Sequence, residues 1–138
     1  MTSLQLGQET RWIAGVVLLT IVTIEFGGWF LTRIVRGEIP MTPFQQAFAR
    51  AGHAHAGVLV ILSLVCELYV DYTGLGGVAL WIARLGVPAA AILMSAGFFV
   101  SSIGRDVTRP NRLIVLVWIG ALCLAAGVLT LGIGLLTS

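Results

Sequence analysis

The chain has no lysine, two histidines, two cysteines and only six acidic residues among 138. Each scarcity excludes something. Eight arginines, a net charge of +2 and no basic cluster leave no footprint for nucleic acid. Cys66 and Cys123 both lie inside apolar runs, so they read as small buried hydrophobes rather than a disulfide or metal pair. Charged residues make up 10% of the chain against 58% hydrophobic, and the mean hydropathy is +1.01. That balance excludes an ordinary soluble domain. A soluble-type enzyme is not expected either. Gly74-Leu75-Gly76-Gly77 joins two apolar runs and fits a turn rather than a phosphate loop. No nucleophile–base pair appears, and Ser95, Ser101 and Ser102 are expected to bond back to helix carbonyls.

What remains is an all-α protein, an integral membrane four-helix up-down bundle forming one domain over residues 1–138. The apolar runs predict spans of about 12–35, 43–72, 78–103 and 113–136, each able to cross a hydrocarbon core of about 30 Å. The polar N-terminus and the lack of a small-residue cleavage site make the first run a mature span, not a removable signal peptide. Trp12 and Trp29 mark its two interfaces. Pro40 and Pro43 end one helix and start the next, with Phe44 to Arg50 as an interfacial segment. Pro88 is expected to kink the third helix. In the fourth, Ala121 and Ala125 form a small-xxx-small pair that permits close helix approach. Arg33, Arg36, Arg50, Arg105, Arg109 and Arg112 hold or flank the first and third connections, and only Arg11 and Arg84 lie opposite. Positive-inside then puts those connections in the cytoplasm and both termini outside.

Ionisable side chains within the spans mark candidate sites. With a rise of about 1.5 Å per residue, residues equidistant from a short turn share a depth. One layer is then Glu67 with Arg84, joined by Asp71, and reads as a structural ion pair that fixes helix register. The other is Glu25, His53 and His55, with Glu25 level with Ala54 across the first turn. The same layer reaches Met94 or Ser95 on the third helix and Trp118 to Cys123 on the fourth. His53 and His55 differ by about 200° of helical rotation, so they face nearly opposite sides and do not form one chelate. His55 shares a stripe with Leu59, Leu62 and Cys66. Glu25 needs either a proton or a partner, and a histidine is the expected one. Glu25, His53 and His55 are the candidate metal ligands of this layer.

The segment Ala-Arg-Ala-Gly-His-Ala-His-Ala-Gly-Val-Leu, Ala49 to Leu59, resembles the His-Ala-His segment of short four-helix bacterial membrane proteins similar to heme–copper oxidase subunit I. The Arg50-to-His53 spacing is similar to that ahead of a haem ligand in the full-size subunit. The resemblance covers about residues 43 to 72, and beyond them only helix number and length. It implies a bacterial-type inner (plasma) membrane and haem b or a transition metal as cofactor. His53 would be the preferred ligand, His55 the second ligand or a supporting donor, and Arg50 would meet a haem propionate. The oxidases draw further histidines from later helices, and this chain has none after His55. The resemblance therefore implies binding and not oxygen reduction. A second axial ligand would be His55, Met94, Cys123 or the His53 of a symmetry mate, which makes a homo-oligomer, a dimer or higher, the expected state in the lipid bilayer.

Three functions remain open. The first is a small membrane haem- or metal-binding protein, possible in redox or electron transfer. The second is a proton-sensitive channel or transporter formed between subunits around Glu25 and the histidines. The third is an accessory subunit that packs against a larger membrane complex.

Overall fold

The computed structural model describes residues 6–138, and over them the chain is helical with no strand. Helix α1 covers Gln8–Val35, α2 Pro43–Val70, α3 Gly77–Ser101 and α4 Val115–Leu136, the last led in by a 3-10 turn at Arg112–Ile114. Each is long and apolar enough to cross a membrane. The protein is a multi-pass four-helix membrane protein.

Local chemistry sets the helix ends. Thr42 caps α2 by accepting from the Gln45 N–H, while the Gln45 side chain accepts from the Thr42 N–H, and Pro43 fills the first helical position. Gly37, at φ +74°, turns the chain out of α1, and Gly77, at φ +57°, starts α3. Asn111 caps the turn into α4 by accepting from the Leu113 N–H. The expected spans agree with these limits to within a few residues. The first helix begins four residues earlier than expected, which brings Thr10 inside it.

Helices α3 and α4 make the closest contact, because glycines remove the side chains between them. A Cβ on Gly86 would sit 2.6 Å from the Gly127 Cα, and one on Gly120 would sit 2.5 Å from the Met94 side chain. The close approach thus falls on Gly120 and Gly127. The Ala121–Ala125 pair expected to provide it is rotated away, and Ala125 is exposed. One core cluster gathers Val17, Leu59, Val60, Ala90, Ala91 and Met94, and a second gathers Cys66, Val70, Ala83, Val87 and Leu131. Both cysteines are free, and Cys66 is core packing.

Helix α1 stands apart from this scheme. It packs mainly on α2, and among its residues only Thr10, Val17 and Ile34 are buried. Its remaining surface, with Trp12, Leu19, Val22 and Phe26 all exposed, lies outside the bundle.

Candidate functional site

Two polar layers lie at different depths. The first closes the end of the bundle at the α2–α3 turn. Arg84 on α3 donates from Nη1 to Glu67 Oε2 at 2.8 Å and to Thr10 Oγ1 at 2.7 Å. Its Nη2 donates to Asp71 Oδ1 at 2.6 Å. Thr10 donates in turn to Asp71 Oδ2 at 2.8 Å, and the Gly7 N–H reaches the same oxygen at 2.9 Å. Glu67 and Thr10 are fully buried and Arg84 is 5% exposed. One guanidinium therefore ties α1, α2 and α3 together. Asp71 follows the last turn of α2. Its partial burial raises its pKa, but the Gly7 N–H, Thr10 and Arg84 outweigh that effect and hold the carboxyl below the ordinary aspartate value.

The sequence reading placed Arg84 with Glu67 and Asp71 and missed Thr10. The signal for it was available: Thr10 lies one turn before the apolar run and at the depth of the top of α2. Two buried atoms here, Glu67 Oε1 and Arg84 Nε, have no partner.

The second layer surrounds the histidines, and its members point in different directions. The His53 ring lies over Gly27-Gly28 of α1, where a Cβ on Gly27 would be 3.3 Å from Nδ1 and one on Gly28 would be 3.4 Å from Cε1. Neither ring nitrogen of His53 makes a hydrogen bond to a described residue. His55 turns to α3, where its ring stacks at 4.9 Å on Phe98. Its Nδ1 lies 2.7 Å from the Ala51 carbonyl oxygen. A carbonyl only accepts, so Nδ1–H is the donor in this contact. Gly52 lets α2 approach α3 between the histidines and the turn, since a Cβ there would be 2.9 Å from the Phe99 ring.

Glu25 does not fill the place expected of it. The depth expected of it is right to within about two residues, but the helical phase of α1 turns Glu25 away from α2. Gly27 and Gly28 face His53, while Glu25 projects from the flank of α1 and is exposed. It makes no hydrogen bond or ion pair with a described residue. Glu25, His53 and His55 consequently do not form a three-ligand metal group, and no such group of His, Cys, Asp or Glu exists among the described residues. Met94 is buried in the first core cluster.

Arg50 is exposed one turn before His53. With Arg36, Thr32, Ile34 and Gln46 it lines a groove of about 440 Å³ between α1 and α2. A smaller cleft of about 270 Å³ lies among α1, α2 and α3 at mid-span. Thr20, Thr23, Ser63 and Ser95 line it among apolar residues, and the Ser95 hydroxyl is buried without a partner. Unlike Ser101 and Ser102, Ser95 does not bond back to its own helix.

Comparison with protein-family models, with curated proteins and with solved structures finds no match to this chain.

Proposed function

We propose that the protein is a small haem-binding protein of a bacterial-type inner membrane, with the His53 imidazole as axial ligand. One observation carries this reading: the His53 imidazole, packed over the Gly27-Gly28 pair of α1, makes no hydrogen bond with a described residue. Haem asks less of a single chain than a chelated metal ion does, since one imidazole can hold it. A transition metal would need three donors, which the described residues do not bring together. Arg50 and Arg36 supply two cations at the interface, where carboxylate groups of a ligand would end. Haem, when bound, supplies one-electron redox chemistry. The chain's own part is to position the imidazole between α1 and α2 and to anchor anionic groups at the arginines. The arginine asymmetry favours cytoplasmic α1–α2 and α3–α4 connections and external termini.

The test is the absorption spectrum of protein purified from cells supplied with haem. A Soret band lost in His53→Ala and kept in His55→Ala is the expected result. Colourless protein, or an unchanged spectrum in His53→Ala, rejects the reading.

A second reading, a proton-sensitive pathway, is favoured by the hydroxyl-lined cleft with its unpartnered Ser95. It requires proton flux in liposomes that changes between about pH 5 and 8 and loses that change when the histidines are replaced.

A further inference from the structure

We propose that two copies of this chain pair through the flank of α1 that carries Glu25, with the two Glu25 carboxyls meeting inside the bilayer. The inference is independent of haem.

Glu25 lies eight residues before Arg33 and fourteen after Arg11. At about 1.5 Å per residue it sits about 12 Å from one arginine level and about 21 Å from the other. A glutamate side chain cannot span either distance to reach water. Ionised, Glu25 would be an unpaired charge in hydrocarbon. Protonated, it would still present a donor and an acceptor without partners. The described residues of the chain offer it none. Gly27 and Gly28 separate it from His53, and the side is exposed. Lipid tails offer none either, so its partner belongs to another protein chain.

A second copy meets the requirement without any further assumption. All copies of one protein insert the same way round, so a two-fold axis along the membrane normal brings each residue of α1 to its own mate at equal depth. Two protonated carboxyls in contact satisfy one another through a reciprocal pair of O–H···O bonds. No matched cation on a foreign partner is needed.

The surrounding surface fits such a contact. Leu18, Val22, Glu25 and Trp29 follow one another at intervals of four, three and four, which places them on one stripe. Leu18, Val22 and Trp29 are 52%, 65% and 50% exposed. Gly15 extends the stripe as a notch, with nothing within 4 Å of a Cβ built on it. Arg11 and Arg36 lie near the two ends of the stripe. A crossing near Val22 and Glu25 at about 40°, common among membrane helix pairs, splays those ends apart and leaves the like charges hydrated.

The experiment uses the full chain in membranes, with Cys66 and Cys123 replaced by alanine. Single cysteines are introduced as Leu18→Cys, Val22→Cys and Trp29→Cys on the stripe, and as Ile92→Cys and Leu122→Cys on exposed faces of α3 and α4. Oxidation is expected to give a dimer band of twice the chain mass from the first three and not from the last two. In lipid vesicles, Glu25→Leu is expected to lower the dimer association constant about tenfold or more, since it removes both interhelical bonds. Glu25→Gln is expected to keep the dimer, because a carboxamide also donates and accepts. Glu25 is exposed and makes no hydrogen bond or ion pair with a described residue, so both variants are expected to keep the fold of the chain.

Crosslinks strongest at Ile92→Cys or Leu122→Cys overturn the proposal. So does unchanged dimerisation of Glu25→Leu, or a crosslink from Val22→Cys to a different protein. If Glu25→Leu is not recovered folded, the crosslinking pattern decides alone. A colourless dimer or a haem-bearing monomer separates this inference from the haem reading.

Discussion

Replacing Arg84 by leucine is the sharpest test of what holds the bundle together. The change removes a cation that is 5% exposed and donates to Glu67, Asp71 and Thr10 at 2.6–2.8 Å. Glu67, which is fully buried, is left with no counter-charge and one oxygen that already lacked a partner. Removing one member of a buried pair costs about 3–5 kcal/mol, because the survivor keeps its desolvation penalty and loses its compensation. Asp71 is affected less, since its side chain is only partly buried and water can replace the guanidinium. Replacing Glu67 by leucine as well deletes the orphaned charge. The Arg84→Leu/Glu67→Leu double variant is therefore expected to be more stable than Arg84→Leu alone, by about 1 kcal/mol or more. Unfolding in mixed micelles over a denaturant series measures both, and the loss of the Arg84 contacts to Thr10 and Asp71 is common to the two variants. Equal stability of the single and double variants would refute the reasoning. It would mean that Glu67 finds a proton or another donor in the absence of Arg84, and that the pair does not set register.

The same layer and the α3–α4 seam give further expectations. Thr10→Val keeps the side-chain shape and removes one accepted and one donated bond, and is expected to cost about 0.6–1.7 kcal/mol, the range for polar contacts inside membrane proteins, by the same unfolding assay. Gly127→Val would drive a side chain into the Gly86 backbone and is expected to cost about 1–3 kcal/mol or more, whereas Gly57→Ala, with open space around it, is expected to be neutral or stabilising by up to about 1 kcal/mol. The Asp71 carboxyl is held below its ordinary value in the folded protein, so its contribution is present above the ordinary aspartate range and is lost as pH falls through the folded value. Acid is therefore expected to loosen the start of α1 from α2, read as faster hydrogen exchange at residues 7–12. Asp71→Asn is expected to show that looseness already at neutral pH.

Much of this arrangement is legible in the sequence because a membrane simplifies the problem. Backbone groups in lipid must be satisfied within the segment, so long apolar runs become helices and short polar connections make their neighbours antiparallel. Depth then follows by counting residues from each turn, which is how Glu67 and Arg84 could be matched. Rotation about the helix axis does not follow from counting. On α2 the 200° between His53 and His55 was enough to send them to different neighbours, and they face α1 and α3. On α1 the phase depends on which side meets α2, and apolar residues surround the whole helix. Glu25 was consequently set against His53 when Gly27 and Gly28 occupy that place. Uniform apolarity on α4 likewise hid which of its small residues form the seam. Thr10 was overlooked for a different reason, since a hydroxyl near an interface usually bonds to its own helix.

The two polar layers differ in a way that bears on function. In the layer of Arg84, every charged group finds an opposite charge inside the chain, and α1, α2 and α3 all contribute. Such a layer is complete in one molecule and gives nothing outside it a reason to bind. In the histidine layer the balance is reversed. Neither His53 nor Glu25 makes a side-chain hydrogen bond or ion pair with a described residue, although both belong to helices long and apolar enough to cross a membrane. Groups in that condition are costly to keep in a membrane unless something outside the chain completes them. The two groups also point to different places, His53 to Gly27-Gly28 of α1 and Glu25 to the exposed flank of α1. One completing agent is therefore not enough for both. The proposed ligand at the imidazole and the proposed second chain at the carboxyl would meet the two needs separately, so loss of either is expected to leave the other intact.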